Sequence, residues 1–109
     1  TRLDRNFDPS AVTNLANALS QNGSYAFSLG LFRKVLKFQQ RQLGRDHLQT
    51  AQTRENIAIV YRRQGKHNEA LELYTQVLAV KEKTLGRNHL DTANTYNKYA
   101  LAFVLFGPY

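Results

Sequence analysis

Leu43-Gly44-Arg45-Asp46-His47-Leu48 returns almost unchanged as Leu85-Gly86-Arg87-Asn88-His89-Leu90, an offset of 42 residues from position 43 to position 85. Carried forward, the same offset pairs Thr50 with Thr92, Ala51 with Ala93, Thr53 with Thr95, Ala58 with Ala100 and Gly65 with Gly107. Carried backward, it pairs Asn56 with Asn14, Ala58 with Ala16, Gly65 with Gly23, Leu71 with Leu29, Tyr74 with Phe32 and Leu78 with Leu36. One register therefore organises the whole chain. Self-similarity at such a period marks a repeat architecture, in which each unit buries its apolar face against the next.

Within a unit the apolar spacing is helical. Ile57, Ala58 and Tyr61, then Leu71, Tyr74 and Leu78, fall at i, i+3, i+4 and i+7. Between these two runs stands Gln64-Gly65-Lys66-His67, whose glycine can take a positive φ at a helix C-terminus. Small residues at Ala58 and Ala70 allow two helices to approach closely. The unit reads as helix, tight turn, helix, and no strand alternation competes with it. Helices are expected near 9–21, 25–42, 50–63, 67–84 and 92–106. Asp8 is a natural N-cap for the first, with Pro9 in its first turn. The expected domain is a single all-α unit over residues 1–109, with a first repeat near 9–42, a second near 50–84 and the first helix of a third near 92–106.

The 109 residues suit one small domain, and an apolar fraction of 42% is enough for a core. No run of about 18 apolar residues is present, so no membrane span is expected. The opening Thr1 to Ser10 is polar and charged, unlike a signal peptide. Cysteine is absent, which excludes disulfides and thiolate metal sites and fits a cytoplasmic setting. Methionine is absent even at position 1, so the chain reads as a fragment or a processed product. Fifteen Lys and Arg against eight Asp and Glu give a net charge of +7, which favours acidic partners of some kind.

These residues resemble the tetratricopeptide repeat. Ile57, Ala58, Tyr61, Gly65, Ala70, Tyr74 and Leu78 occupy the core positions of that family in the second unit. The period of 42 is longer than the usual ~34. The long form, with Leu-Gly-x-x-His between hairpins and Thr-Ala-x-Thr-x-x-Asn opening the next, is similar to the kinesin light chain subclass. The family usually carries His-Pro where this chain has His47-Leu48 and His89-Leu90, and Ser28 stands where the second unit has Ala70. The resemblance implies a right-handed α-α superhelix of about two and a half hairpins, with the first helix of each hairpin lining a concave groove. It also implies a non-enzymatic scaffold or adaptor that binds an extended peptide or a partner domain.

The groove face then reads as Thr13, Asn14 and Asn17 from the first helix. The second hairpin offers Gln52, Glu55, Asn56, Ile59 and Arg62 with Arg63 beside it, and the third offers Asn94, Asn97, Lys98 and Leu101. An asparagine amide can donate to a peptide carbonyl and accept from a peptide N–H, so a row of them can hold an extended backbone. Arg62 and Lys98 add attraction for carboxylates. Chaperone-binding members of the family use a two-carboxylate clamp of Lys, Asn, Asn, Lys and Arg. Asn17 and Asn56 match two of those places, but Thr13 and Asn94 stand where lysines are required and Lys98 replaces the arginine, so an EEVD-type tail is not the expected ligand.

Arg33, Lys37 and Arg41 recur every fourth residue with Lys34 adjacent, a basic stripe expected to face outward, while Phe32 and Phe38 fall on the core side. Without aromatic interleaving on that face, nucleic-acid binding has little support. His47 and His89 hold equivalent places in successive linkers, which argues for a structural hydrogen bond rather than a metal site. No Gly-rich phosphate loop, nucleophile elbow or paired-carboxylate motif is present, so neither catalysis nor a cofactor is expected. The last helix is apolar on nearly every side through Tyr99, Phe103, Val104 and Phe106. Solenoid ends need a polar cap, so these four residues define the alternative reading, a module that self-associates through its C-terminal helix.

Overall fold

The computed structural model describes residues Asn6 to Phe106. Gly107, Pro108 and Tyr109, with the expected Gly65–Gly107 equivalence, lie outside the described residues. Five helices follow one another: α1 (Pro9–Gln21), α2 (Tyr25–Leu43), α3 (Leu48–Arg63), α4 (His67–Leu85) and α5 (Leu90–Phe106). No strand occurs among the described residues. Each helix packs on its neighbours in sequence, giving an elongated body of 48 × 32 × 19 Å.

The helix ends follow from local chemistry. Asp8 Oδ1 accepts from the N–H groups of Ser10 at 3.0 Å and Ala11 at 3.3 Å, and Pro9 opens α1. α3 and α5 begin at 48 and 90, two residues before the expected 50 and 92, because the linker histidines cap them. His47 Nδ1 accepts from Gln49 N–H and His89 Nδ1 from Asp91 N–H, each at 3.1 Å. This is the structural hydrogen bond expected from the recurrence of the two histidines. Thr50 Oγ1 also donates to the Gly44 carbonyl at 2.8 Å, tying the first linker to the helix it precedes.

The hairpin turns are built alike. After α1 and α3 the chain passes through Gly23 (φ 87°) and Gly65 (φ 83°). The next N–H in each case, of Ser24 or Lys66, closes onto the carbonyl of Leu19 or Tyr61 at 2.8 Å. A Cβ at either glycine would meet no heavy atom within 4 Å, so the backbone conformation and not lack of space selects glycine.

The repeat register reappears in the burial. Phe32 and Tyr74 are both 0% exposed, as are Val35 and Val77. Ala16, Leu29, Phe32, Ile57 and Val60 form one core cluster across the first two hairpins. Ala58, Ala70 and Tyr74 form another, with Tyr99 of α5 packed against it. Ser28, which replaces alanine in the first hairpin, is fully buried, and its hydroxyl donates to the Ala16 carbonyl at 2.7 Å, so the polar substitution leaves no unmet donor. The register breaks at the C-terminal end: Ala16 and Ala58 are fully buried, whereas their equivalent Ala100 is exposed.

Candidate functional site

The first helices of successive hairpins, α1, α3 and α5, carry the expected groove residues. Between α1 and α3 these gather into an open pocket of about 280 Å³. Asn14 comes from α1, and Gln52 and Asn56 from α3; Thr13, Gln39 and Thr53 complete much of the wall. Gln52 Nε2 donates to Asn56 Oδ1 at 3.2 Å. Deeper in the wall the Thr53 hydroxyl donates to Gln39 Oε1, joining α3 to α2. Asn14 makes no side-chain hydrogen bond among the described residues and is exposed.

The next junction, between α3 and α5, is filled by the protein itself. Glu55 is buried, with a side chain only 3% exposed. Its Oε1 accepts from Thr95 Oγ1 at 2.6 Å and from Lys81 Nζ at 3.3 Å, while its Oε2 accepts from Lys98 Nζ at 2.6 Å. Lys81 Nζ also donates to Thr95 Oγ1 at 2.9 Å. Burial pushes the Glu55 carboxyl upward, but hydrogen bonds from Lys98 and Thr95 and the charges of Lys81 and Lys98 outweigh it. The net displacement is below the usual carboxylate range.

The remaining expected residues are distributed more widely. Asn17 is exposed on α1, and Asn94 and Asn97 on α5. Arg62 and Lys98 border a separate, more apolar pocket of about 330 Å³ formed with His67, Leu101, Leu105 and Phe106. The Lys98 ammonium is half-buried and engaged by Glu55, so much of its charge is spent inside the fold. Arg63 reaches back to α1, its guanidinium donating to Ser20 Oγ at 2.7 Å. Beneath Arg62, burial raises the Tyr74 hydroxyl pKa, opposed by the nearby Arg62 charge.

Gln39, Lys81, Thr53 and Thr95 were not read from sequence as site residues. A signal existed, since Gln39 and Lys81 are one period apart, as are Thr53 and Thr95. Thr53 and Thr95 are identical across the period, while Gln39 gives way to the charged Lys81.

The basic stripe of α2 is exposed at Arg33, Lys34, Lys37 and Arg41, and the Arg33 guanidinium donates to the Tyr61 hydroxyl at 2.9 Å. On α5, Phe103 (42%), Val104 (77%), Leu105 (59%) and Phe106 (51%) are exposed. The Phe106 ring stacks on His67 with centroids 3.6 Å apart, and Tyr99 stacks on Phe103 at 6.0 Å. Tyr96 is anchored to α4 by a hydrogen bond to Glu82 Oε2 at 2.7 Å.

A ladder of helical hairpins in one register, presenting a polar face along its first helices, defines a helical-repeat interaction scaffold. The tetratricopeptide repeat family model matches residues 9–83 and 55–109, and the chain belongs to that family. Its array is of the kinesin light chain-like type. A crystal structure from Podosopora anserina, described as a kinesin light chain with nearly identical TPR-like repeats, is 28% identical, with a TM-score of 0.79 over 92% of this chain and 49% of that one. BtubC (BKLC) from P. vanneervenii, at 18% identity, shares the fold, with a TM-score of 0.79 over 93% of this chain and 41% of that one. The chain thus spans less than half the length of these structural relatives. No curated protein matches it. Among the described residues no helix is long and apolar enough to cross a membrane.

Proposed function

We propose that this scaffold holds an extended peptide, or an extended segment of a partner domain, along the face made by Asn14, Asn17, Gln52, Asn56, Arg62, Asn94, Asn97 and Lys98. The observation that carries this reading is the meeting of Asn14, Gln52 and Asn56 from two hairpins in one open pocket lined mainly by residues with polar side chains. Amides suit a peptide backbone because each both donates and accepts. The net charge of +7 draws acidic partners toward the surface, and that long-range attraction acts on encounter more than on the final contacts. Ligands selected from a peptide array should lose binding in the Asn14→Ala, Asn56→Ala double variant, measured by fluorescence polarisation. Unchanged affinity in that variant overturns the reading.

A second reading rests on a different observation, the exposure of Phe103, Val104 and Phe106 beside Tyr99 on α5. Contiguous apolar surface of this kind marks an interface. In this reading the module pairs with a second copy through that helix, and a monomeric mass at all concentrations overturns it.

A further inference from the structure

The second helices, α2 and α4, carry a groove of their own. Gly30, Arg33, Lys34 and Lys37 of α2 stand at i, i+3, i+4 and i+7 around one open depression of about 470 Å³. Arg33, Leu36, Lys37 and Gln40 repeat that spacing one step along the same depression. Four residues so spaced form the hole that receives one side chain of a facing helix. Arg33 and Leu36 also border a second depression of about 330 Å³, where α2 meets Glu69, Glu72 and Leu73 of α4. The two depressions therefore join, and they share no residue with the peptide-holding face proposed above.

The floor of this groove is apolar and its rims are oppositely charged. Leu36 and Leu73 are half-buried along the floor. Lys34 and Lys37 are exposed on the α2 rim, and Glu69 and Glu72 on the α4 rim. None of these four forms an ion pair among the described residues. The repeat frame does not demand the cationic rim: one period on, Arg33, Lys34 and Lys37 become Thr75, Gln76 and Ala79. Packing does not demand Gly30 either, since its φ is not positive and an added Cβ would meet nothing within 4 Å. A glycine inside a helix costs stability relative to alanine, and here it deepens the first hole.

We propose that this outer groove docks one amphipathic α-helix of a partner protein. Its apolar stripe lies on Leu36 and Leu73, its acidic flank against Lys34 and Lys37, and its basic flank against Glu69 and Glu72. A helix sets its apolar face into a groove through residues at just such spacing. An extended acidic segment, or an anionic bilayer, would satisfy the α2 rim alone and press like charge on the two glutamates. The rims also fix direction. Turning a helix end for end exchanges its flanks, so one direction pairs opposite charges and the other sets like charges together.

Two alanine-based helical peptides with a leucine stripe test this. One carries Glu on its left flank and Lys on its right, and the other the reverse. Both should bind in fluorescence polarisation, in opposite directions. A nitroxide at each N-terminus should broaden the Gly30 amide resonance with one peptide and that of Gln40 with the other. The Lys34→Glu, Lys37→Glu double variant should weaken both by roughly tenfold. Its melting temperature should not fall, because both side chains are exposed. A third peptide, with Lys on both flanks, should prefer that variant to the parent chain. Gly30→Ala should weaken binding although the free helix has room for the methyl group. Asn14→Ala with Asn56→Ala should leave helix binding unchanged, which separates this site from the peptide-holding face. No binding by either helix overturns the proposal, as do equal binding by a proline-interrupted version, affinity unmoved in the lysine double variant, or labels that report the same end. Capture by vesicles of equal parts phosphatidylcholine and phosphatidylserine, with no helix binding, overturns it in favour of a lipid surface.

Discussion

Lys98 Nζ stands 2.6 Å from Glu55 Oε2, joining residues 43 positions apart on the first helices of neighbouring hairpins. The pair is asymmetric: the Glu55 side chain is 3% exposed and that of Lys98 is 37% exposed. Lys81, with a side chain 8% exposed, reaches the other carboxylate oxygen. Removing the acid strands a buried ammonium, whereas removing Lys98 leaves Glu55 still bound to Lys81 and Thr95. Glu55→Ala should therefore cost about 3 kcal/mol. Lys98→Ala, at the partly wet rim, should cost about 1 kcal/mol. Urea unfolding followed by circular dichroism measures both, and equal losses would contradict the hierarchy.

The same network sets the behaviour in acid. In the unfolded chain Glu55 titrates near the ordinary value of about 4.3. In the fold its pKa is lower, because the hydrogen bonds and lysine charges overcome its burial. Between those two values the unfolded chain binds the extra proton. The stabilisation is thus fully present above the ordinary value and is lost as the pH falls through the folded one. Urea midpoints recorded from neutral pH down to about pH 3 should decline on this account, and Glu55→Gln should flatten the decline while lowering the neutral-pH midpoint. A variant whose acid slope matches the parent would show that other carboxylates govern it.

The hairpins were legible because their signals are local and doubled. Periodic apolar residues, turn glycines and the Leu-Gly-x-x-His linker each occur at least twice, so the register is over-determined. The helix starts at 48 and 90 were misjudged by two residues because an imidazole acting as an N-cap competes with better-known capping side chains. The groove was legible as a face and not as chemistry. Glu55 reads on a helical wheel as a groove residue, and only its packing against Lys81 of α4, across 26 residues, turns it inward. Similarly, Lys98 reads as a free cation until the acid that engages it is located in space.

Two glycines should respond oppositely to the same substitution. Gly30 lies within α2, is exposed, and would meet nothing within 4 Å of an added Cβ. Gly30→Ala should stabilise by about 0.5–1 kcal/mol, through lower backbone entropy in the unfolded chain. Gly65 holds a φ of 83° at the α3–α4 turn, also with open space around it. Gly65→Ala should destabilise by about 1 kcal/mol, since a Cβ disfavours the left-handed conformation. Thermal and urea melts of both variants check the pair, and a matching sign would refute the conformational explanation.

The α5 surface yields the last expectation. Val104 is 77% exposed and Leu105 59%, next to Phe103 and Phe106 at 42% and 51%, so four consecutive residues present apolar area to solvent on both sides of the helix. Ala102 alone in this stretch is covered, at 3%. Burying such surface gains about 25 cal/mol per Å², which makes association of this helix with a second copy favourable once enough of it is matched. Light scattering across the micromolar range should show mass rising with concentration. Val104→Glu should return the chain to a monomer without lowering its melting temperature, because Val104 makes little contact within its own fold. Phe103→Glu should do the same at some cost to the Tyr99 stack. A constant monomeric mass in the parent chain, or a mass that Val104→Glu leaves unchanged, removes this helix as the association surface.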